Sequence, residues 1–290
     1  MSISIELMRN FNEVARCGNI SQAANHVGLT QPALSSSIKK LEHQLKAELF
    51  HRSKKGVSLT RAGKILLNHS DSLLRDWERI TDAITSDNNK ISGRYSMGIH
   101  PALSTVTLPQ FLPKLMHRNP LLTFSFFHGG SQLITEKIIS YELDFGIIIN
   151  PINHTSLSYD ELFEDQVQFY QSKERTTDKD KRIVVYDERM YQCEILMKQA
   201  QNKKLFTDNR LLHVDELHVI ASLVASDIGY GILPKLVADS HYSDVIEPVK
   251  DSPVYLDRCY LVSRKQQETS VAATHIKEAI TTAFACKLKW

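Results

Sequence analysis

Gln31, Pro32, Ser35, Ser36, Lys39 and Lys40 fall at helical spacing within ten residues, so one side of a helix can present them together. A glutamine can meet adenine through two hydrogen bonds, and a serine can bond several bases. A lysine can neutralise a phosphate and release its counterions. Thr30 reads as the N-cap of this helix, with Pro32 in the first turn, where a missing N–H is harmless. Gln31 then stands at the helix N-terminus, where a helix lying in the major groove meets base edges. Leu34, Ile38, Leu41 and Leu45 form the opposite, apolar stripe.

Three elements must position that face. Leu7, Phe11, Val14 and Ala15 mark a first helix that stops at Gly18. Ser21 reads as the N-cap of a short second helix, whose Ala23, Ala24 and Val27 can pack closely; Ser21 and Gln22 join the expected DNA contacts. Gly28 permits the sharp turn into the third helix. Beyond it, residues 48–60 suggest two extended pieces around a basic, glycine-containing turn. Arg52, Lys54 and Lys55 would there lie against phosphates or a minor groove. Residues 30–64 hold eight Lys or Arg against two acids, whereas residues 91–290 hold 22 against 24. Concentrated positive charge suits a phosphate backbone, although a solvated basic face would read the same way.

The pattern Ser21-x-Ala23-Ala24, Leu29-Thr30-Gln31-Pro32-Ala33-Leu34-Ser35, Ile38, Leu41-Glu42, Leu49-Phe50-x-Arg52 and Leu59-Thr60-x-Ala62-Gly63 resembles that of LysR-type transcriptional regulators. The resemblance implies a winged helix-turn-helix, a linker helix and an effector domain built like a periplasmic binding protein. It implies sequence-specific promoter binding controlled by a small-molecule effector, dimers that pair into tetramers, and RNA polymerase as a partner. Many members carry arginine where this chain has Ser36.

Thr60 reads as the cap of a long helix to about Asp87. Leu66, Ser70, Leu73, Trp77, Ile80 and Ile84 alternate there at steps of four and three. This is a coiled-coil seam or an amphipathic helix packed on its own chain; the polar surroundings favour a homodimer. Further on, strand patterns at 95–99, 123–127 and 143–149 alternate with helical stretches from about 106 to 118 and 131 to 141. A second such set begins at Ile183-Tyr186, with a helix from Asp215 to about Ser226 and a strand to Pro234. The expected fold class is therefore α/β with an all-α winged helix-turn-helix N-terminal domain, the effector domain forming two Rossmann-like α/β lobes. The expected boundaries are 1–59 for DNA binding, 60–90 for the linker and dimerisation helix, and 91–290 for the effector domain. Lobe I takes about 91–158 and 264–290, and lobe II about 159–263. Gly98, Pro101, Leu108-Pro109, Gly130-Ser131 and residues 224–234 continue the resemblance.

A cleft between two such lobes is a usual ligand site. Ser131, after Gly129-Gly130, reads as a helix cap that could hold an anion, or as an ordinary cap with no ligand. His100 and His128 both follow strands of one lobe and could face a ligand or serve as hydrogen-bonded or surface histidines. Pro101, Ala102, Ser104, Gln132, Asn150 and Asp227 complete the expected effector set, the effector being a metabolite and anionic if Ser131 holds it. Asp227 replaces a glycine where a left-handed turn is expected.

No GxSxG elbow, HExxH pair or P-loop occurs, and Gly229-x-Gly231 lacks the context of a dinucleotide site, so no enzyme, catalytic residue or cofactor is expected. Cys17, Cys193, Cys259 and Cys286 form no CxxC pair; free thiols and no metal site follow. Apolar runs are too short to cross a bilayer and no secretory signal is read at the N-terminus, so the expected location is cytoplasmic, away from membranes. A free-standing solute-binding protein would explain the cleft but not the basic N-terminal region.

Overall fold

Apolar residues one or two helical turns apart build the N-terminal core. Helix α1 (Ile5–Cys17) buries Leu7, Phe11 and Val14, and Gly18 stops it at φ 61°. Helix α2 (Ile20–His26) buries Ala23 and Ala24. Helix α3 (Gln31–Leu45) buries Leu34, Ile38 and Leu41. The computed structural model describes residues 3–53, 56–85, 91–175, 183–203, 205, 210–265 and 271–285; the side chains of residues 78, 79, 82–85 and 102 lie outside that description. Two units separate by their internal contacts: Met1–Ser96 with Asn119–Ser125 and Glu136–Asp144, and Met97–Arg118 with Phe126–Thr135 and Phe145–Trp290.

In the first unit, α2 is capped two residues earlier than the sequence suggests. Asn19 Oδ1 accepts the amides of Ser21 at 2.9 Å and Gln22 at 3.1 Å, which leaves Ser21 inside the helix. Gly28, at φ 70°, turns the chain toward Thr30, whose Oγ1 accepts the Ala33 amide. Strands β1 (Phe50–Ser53) and β2 (Gly56–Leu59) pair antiparallel, with Ser53 opposite Gly56. The wing expected from the sequence is therefore present, while Lys54 and Lys55 lie outside the described residues.

Thr60 starts α4 (Arg61–Thr85). Its Oγ1 accepts the Gly63 amide at 3.0 Å and donates to the Glu48 carbonyl at 2.7 Å. Farther along, Ser70 Oγ donates to Asn12 Oδ1, Asn12 Nδ2 donates to Asp71, and Arg16 reaches the same carboxylate. This polar group fastens α4 to α1. Leu66, half-buried, packs on the N-terminal core of its own chain.

The second set of elements alternates strand and helix: β3 (Ser92–Ile99), α5 (Pro101–Arg118), β4 (Leu121–His128), α6 (Ser131–Ile139) and β5 (Phe145–Ile149) come first. Then follow β6 (Leu157–Ser172), β7 (Ile183–Tyr186), α7 (Tyr191–Asn202), β8 (Arg210–His213), α8 (Leu217–Ala225) and β9 (Gly229–Pro234). Helix α9 (Lys235–His241), β10 (Ile246–Pro248), β11 (Val254–Arg264) and α10 (Val271–Ala285) complete the chain. The strands form one sheet, ordered β4-β3-β5-β11-β6-β9-β7-β8, with β10 beside β6.

Pairing is parallel for β3–β5, β7–β8 and β7–β9, as βαβ units require. Strands β6 and β11 are antiparallel to their neighbours and join the two parallel sets. The sequence reading missed β6 because its first half, with Asp160, Glu161 and Glu164, does not look like a buried strand. Helix α5 begins at Pro101, earlier than expected, and runs through Pro109 and Pro113; Gln110 Nε2 donates to the Val106 carbonyl and Thr107 Oγ1 to that of Leu103.

Alternate strand residues serve opposite faces of this sheet. Phe169, Val184 and Ile232 pack with Cys193 and Leu196 of α7, whereas Tyr170, Val185 and Leu233 pack with Ile220 and Val224 of α8. Among the described residues no helix is long and apolar enough to cross a membrane.

At Gly63 the first turn of α4 lies on the backbone of Leu49: a Cβ there would sit 2.2 Å from the Leu49 carbonyl oxygen. Gly63→Ala should therefore destabilise the first unit by about 2–4 kcal/mol, since backbone on both sides must shift. Chemical denaturation checks this, and a loss below about 0.5 kcal/mol would contradict the close approach.

Candidate nucleic-acid interface and ligand cleft

With Leu34, Ile38 and Leu41 fully buried, α3 has its opposite face outside: Gln31, Pro32, Ser36, Lys39 and Lys40 are exposed and Ser35 is half-buried. Burying each of those three side chains contributes roughly 1.5–3 kcal/mol, so the helix cannot rotate to hide the polar face. Thr30, Ser21 and Gln22 are exposed as well.

Two residues hold the wing against α3. Glu42 Oε1 accepts the amides of Leu49 at 2.9 Å and Phe50 at 3.3 Å. Arg52 Nη1 donates to Ser35 Oγ at 3.2 Å, and its Nη2 lies 3.9 Å from Glu42 Oε2. Arg52 thus leans on α3 in the free protein instead of projecting alone. Glu42 was not among the expected contacts, and its signal was present: an acid one turn before the helix end, ahead of an extended segment.

On α4, Leu73, Trp77 and Ile80 are 46%, 44% and 51% exposed, a continuous apolar stripe at steps of four and three. Ser70 is buried against Asn12 and so leaves the seam, and the Ile84 side chain lies outside the described residues.

The expected effector residues do not all meet. His100, Pro101 and Ser104 stand where β3 passes into α5, and His128, Ser131 and Gln132 stand where β4 passes into α6. The Gly129 amide donates to the Ile99 carbonyl and ties the two turns together. Burial pushes the His100 imidazole below its ordinary pKa, against the pull of Glu216 and Asp187, while Arg189 and His128 lower it further. Asp187 follows β7, and Glu216 caps α8 by accepting the His218 amide. Arg189 is bidentate on Asp187 at 3.0 Å. Thr105 Oγ1 and His218 Nε2 approach to 3.5 Å from α5 and α8.

Asp187, Arg189, Glu216 and His218 were missed from sequence. Asp187 was findable, because it ends a strand of a parallel set and such ends bear ligand groups.

Three of the expected residues take part in the fold itself. Ser131 is the first residue of α6, and its Oγ accepts the Ile149 amide at 3.0 Å; its oxygen holds β5 rather than capping the helix. Asp227, at φ 57°, makes the left-handed turn after α8, at the opposite end from Glu216 and roughly 14 Å away by helical rise.

Asn150 is spent on the fold. At φ 46°, its Nδ2 donates to Tyr191 Oη at 2.7 Å and Asp257 Oδ1 at 2.6 Å, and its Oδ1 accepts the Arg258 amide at 2.9 Å. It borders a separate open cavity of about 890 Å³, lined also by Tyr159, Tyr191, Tyr255, Arg258 and Lys265. The Ala102 side chain lies outside the described residues.

Residues 5–64 match the family model described as "Bacterial regulatory helix-turn-helix protein, lysR family", and residues 88–285 match "LysR substrate binding domain". The chain is 32% identical over 155 residues to the HTH-type transcriptional regulator BbuR of Bordetella bronchiseptica, covering 53% of this chain and 48% of that protein, so it spans about half of BbuR's length. It is 25% identical to the nitrogen assimilation regulatory protein nac of Escherichia coli, over 80% of this chain and 79% of that one. The crystal structure of ArgP from Mycobacterium tuberculosis shares the fold with TM-score 0.74 at 15% identity, over 98% of both chains. Full-length CbnR complexed with target DNA does so with TM-score 0.66 at 16% identity, over 97% of this chain and 100% of that one.

Asn150→Ala removes three hydrogen bonds around the buried Asp257 and places alanine in a left-handed conformation, so it should cost about 2–3 kcal/mol. Urea denaturation tests this; an unchanged midpoint would return Asn150 to the ligand-facing set.

Burial raises the pKa of Asp165 to about 7 even though its carboxylate accepts the Gln166 and Leu236 amides, with Asp257 and Asp239 adding to the rise. Between the ordinary value of 3.8 and about 7 the folded chain keeps a proton that the unfolded chain has lost. Stability should therefore fall as pH rises through that window and level off above it, by a few kcal/mol at most. Asp165→Asn should flatten this fall; a mutant that keeps the same slope would assign it to other groups.

Proposed function

Since the chain belongs to the LysR family of bacterial regulatory proteins, with the helix-turn-helix segment first and the substrate-binding segment after it, we propose that it binds promoter DNA as a dimer under the control of a small molecule. The observation that carries this reading is the face of α3, outside by necessity and aligned with a basic wing. Gln31, Ser35 and Ser36 read base edges in the major groove, and Thr30, Pro32, Ser21 and Gln22 border the same surface. Lys39, Lys40, Arg52, Lys54 and Lys55 meet phosphates or the minor groove. Arg52 must release or share Ser35 as it does so.

Dimers form through Leu73, Trp77 and Ile80, with Ile84 on the same sequence stripe, which brings two α3 helices to successive major grooves. Pairing of dimers into tetramers, action on RNA polymerase and residence in the cytoplasm follow the family pattern, with segments 1–59, 60–90 and 91–290 as functional parts. The regulator carries out no catalysis in this reading.

The effector binds at the His100 end of α5, among Pro101, Ser104, His128 and Gln132, facing Asp187, Glu216 and His218. Two carboxylates lie within electrostatic reach of His100, and the nearby guanidinium of Arg189 already pairs with Asp187. That balance favours an effector with a cationic group over a purely anionic one. Ligand binding then shifts the population of conformers and with it the spacing of the DNA-reading helices.

Gln31→Ala should change the ranking of operator sequences in a fluorescence anisotropy titration. Lys54→Ala with Lys55→Ala should weaken binding to all duplexes alike and lower the slope of log K against log salt by about 2. An unchanged ranking in the first variant would remove Gln31 from base reading.

A further inference from the structure

Away from the α3 face and the His100 region, Glu13, Cys17 and His26 bring three different donor atoms together. Glu13 and Cys17 lie one turn apart on α1, and His26 ends α2. Cys17 Sγ is 3.4 Å from Glu13 Oε1 and 3.5 Å from His26 Nδ1, and the oxygen and nitrogen are 2.7 Å apart. Among the described residues this is the one cluster of such side chains close enough to share an ion.

The separations can be compared with what a metal demands. With bonds of about 2.3 Å to sulfur and about 2.0–2.2 Å to nitrogen and oxygen, the ligand atoms of a tetrahedral zinc lie about 3.4–3.6 Å apart. Both sulfur distances already have that value. Only the oxygen and nitrogen, drawn together by a shared proton, must separate, by roughly 0.7 Å, to the spacing that zinc sets. The His26 side chain is 53% exposed, and Glu13 and Cys17 are half-buried, so an ion can enter and a water can fill the fourth position.

We propose that Glu13, Cys17 and His26 bind a thiophilic divalent cation, zinc in the first instance. A carboxylate and a thiolate offset the two charges of the ion, and a neutral imidazole completes the set without adding charge. On binding, the Cys17 thiol gives its proton to solvent. Neutral His26 gives up its Nδ1 proton as it takes one at Nε2, and Nδ1 takes the metal. The absence of a CxxC pair argued against such a site only within the sequence, because the third ligand arrives from a different helix.

The position gives the site its consequence. Gly18 follows Cys17, and its carbonyl oxygen accepts the Val57 amide of β2 at 2.9 Å. That same oxygen lies 2.5 Å from where a Cβ of Gly56 would stand. An ion on Cys17 would therefore fasten α1 to α2 beside the backbone contact that seats the wing. The helices supporting α3 would be held by a bond set stronger than the Glu13–His26 hydrogen bond alone.

The test is Co²⁺ titration of the full-length, chelator-treated protein by absorption spectroscopy. The expected result is a thiolate-to-cobalt charge-transfer band together with the intense visible bands of tetrahedral Co²⁺. Both should saturate at one equivalent per chain and be displaced by Zn²⁺. Cys17→Ser should lose the charge-transfer band, and His26→Gln, a change at an exposed position, should lose tight binding while keeping the circular dichroism of the wild type. Zn²⁺ should raise the melting temperature of the wild type and not of His26→Gln, as a ligand of the folded state alone must. Absence of the bands in the wild type, or their survival in Cys17→Ser, would overturn the site. Equal zinc stabilisation of His26→Gln would overturn it too. None of these readouts involves DNA, so they stand or fall apart from the regulatory reading.

Discussion

Leu34, Ile38 and Leu41 are three apolar side chains on a helix of 3.6 residues per turn, and the N-terminal core has one place for them. Seating that stripe against Leu7, Phe11, Ala23 and Ala24 fixes the rotation of α3 about its axis. Rotating the helix by one residue would bring a serine or lysine into contact with Phe11, at a cost of several kcal/mol of lost burial and unsatisfied polar groups. The polar face is therefore presented by exclusion. Glu42 extends this rigidity to the wing by accepting the first two amides of its strand, and Thr60 extends it to α4 by joining the Glu48 carbonyl to the Gly63 amide. Wing, α3 and α4 are consequently tied to one another by hydrogen bonds within one packed core.

A comparable constraint organises the sheet. Strands β6 and β11 are long and mutually antiparallel, and each of the two parallel sets is hydrogen-bonded to one of them. Each parallel set gathers its own carboxyl ends, and three antiparallel pairings make the two sets run in opposite senses; Asp187 after β7 and His100 after β3 nevertheless come within electrostatic reach. Asn150, after β5, is instead drawn into a polar group with Asp257, Gln192 and Tyr191. At the end of a strand, the hydrogen bonds a side chain makes decide whether it is available to anything outside the fold.

Periodicity made α1, α3, α4, α8, β3, β5 and β9 legible, because each has an apolar pattern that only one kind of element can bury. The Thr30 and Thr60 caps, the Gly18 and Gly28 turns and the left-handed residue at 227 were legible for the same local reason: a side chain or conformation that answers to neighbours within four residues. The cap of α2 was misplaced because Asn19 and Ser21 are both good caps, and only the backbone selects between them. Strand β6 went unread because a strand with carboxylates along its first half carries no period-two apolar signal.

The sequence by itself determined the elements with a clear apolar period, the outward polar face of α3 and the family, since these follow from local spacing and from which side chains must avoid water. Tertiary structure alone decided which distant groups meet. It set Arg52 on Ser35, placed Asp187 and Glu216 near His100, engaged Ser131 and Asn150 in hydrogen bonds of the fold, and brought His26 to Glu13 and Cys17. Those encounters depend on the crossing of helices and the order of strands, which are settled by packing across the whole unit and leave no periodic trace in the chain.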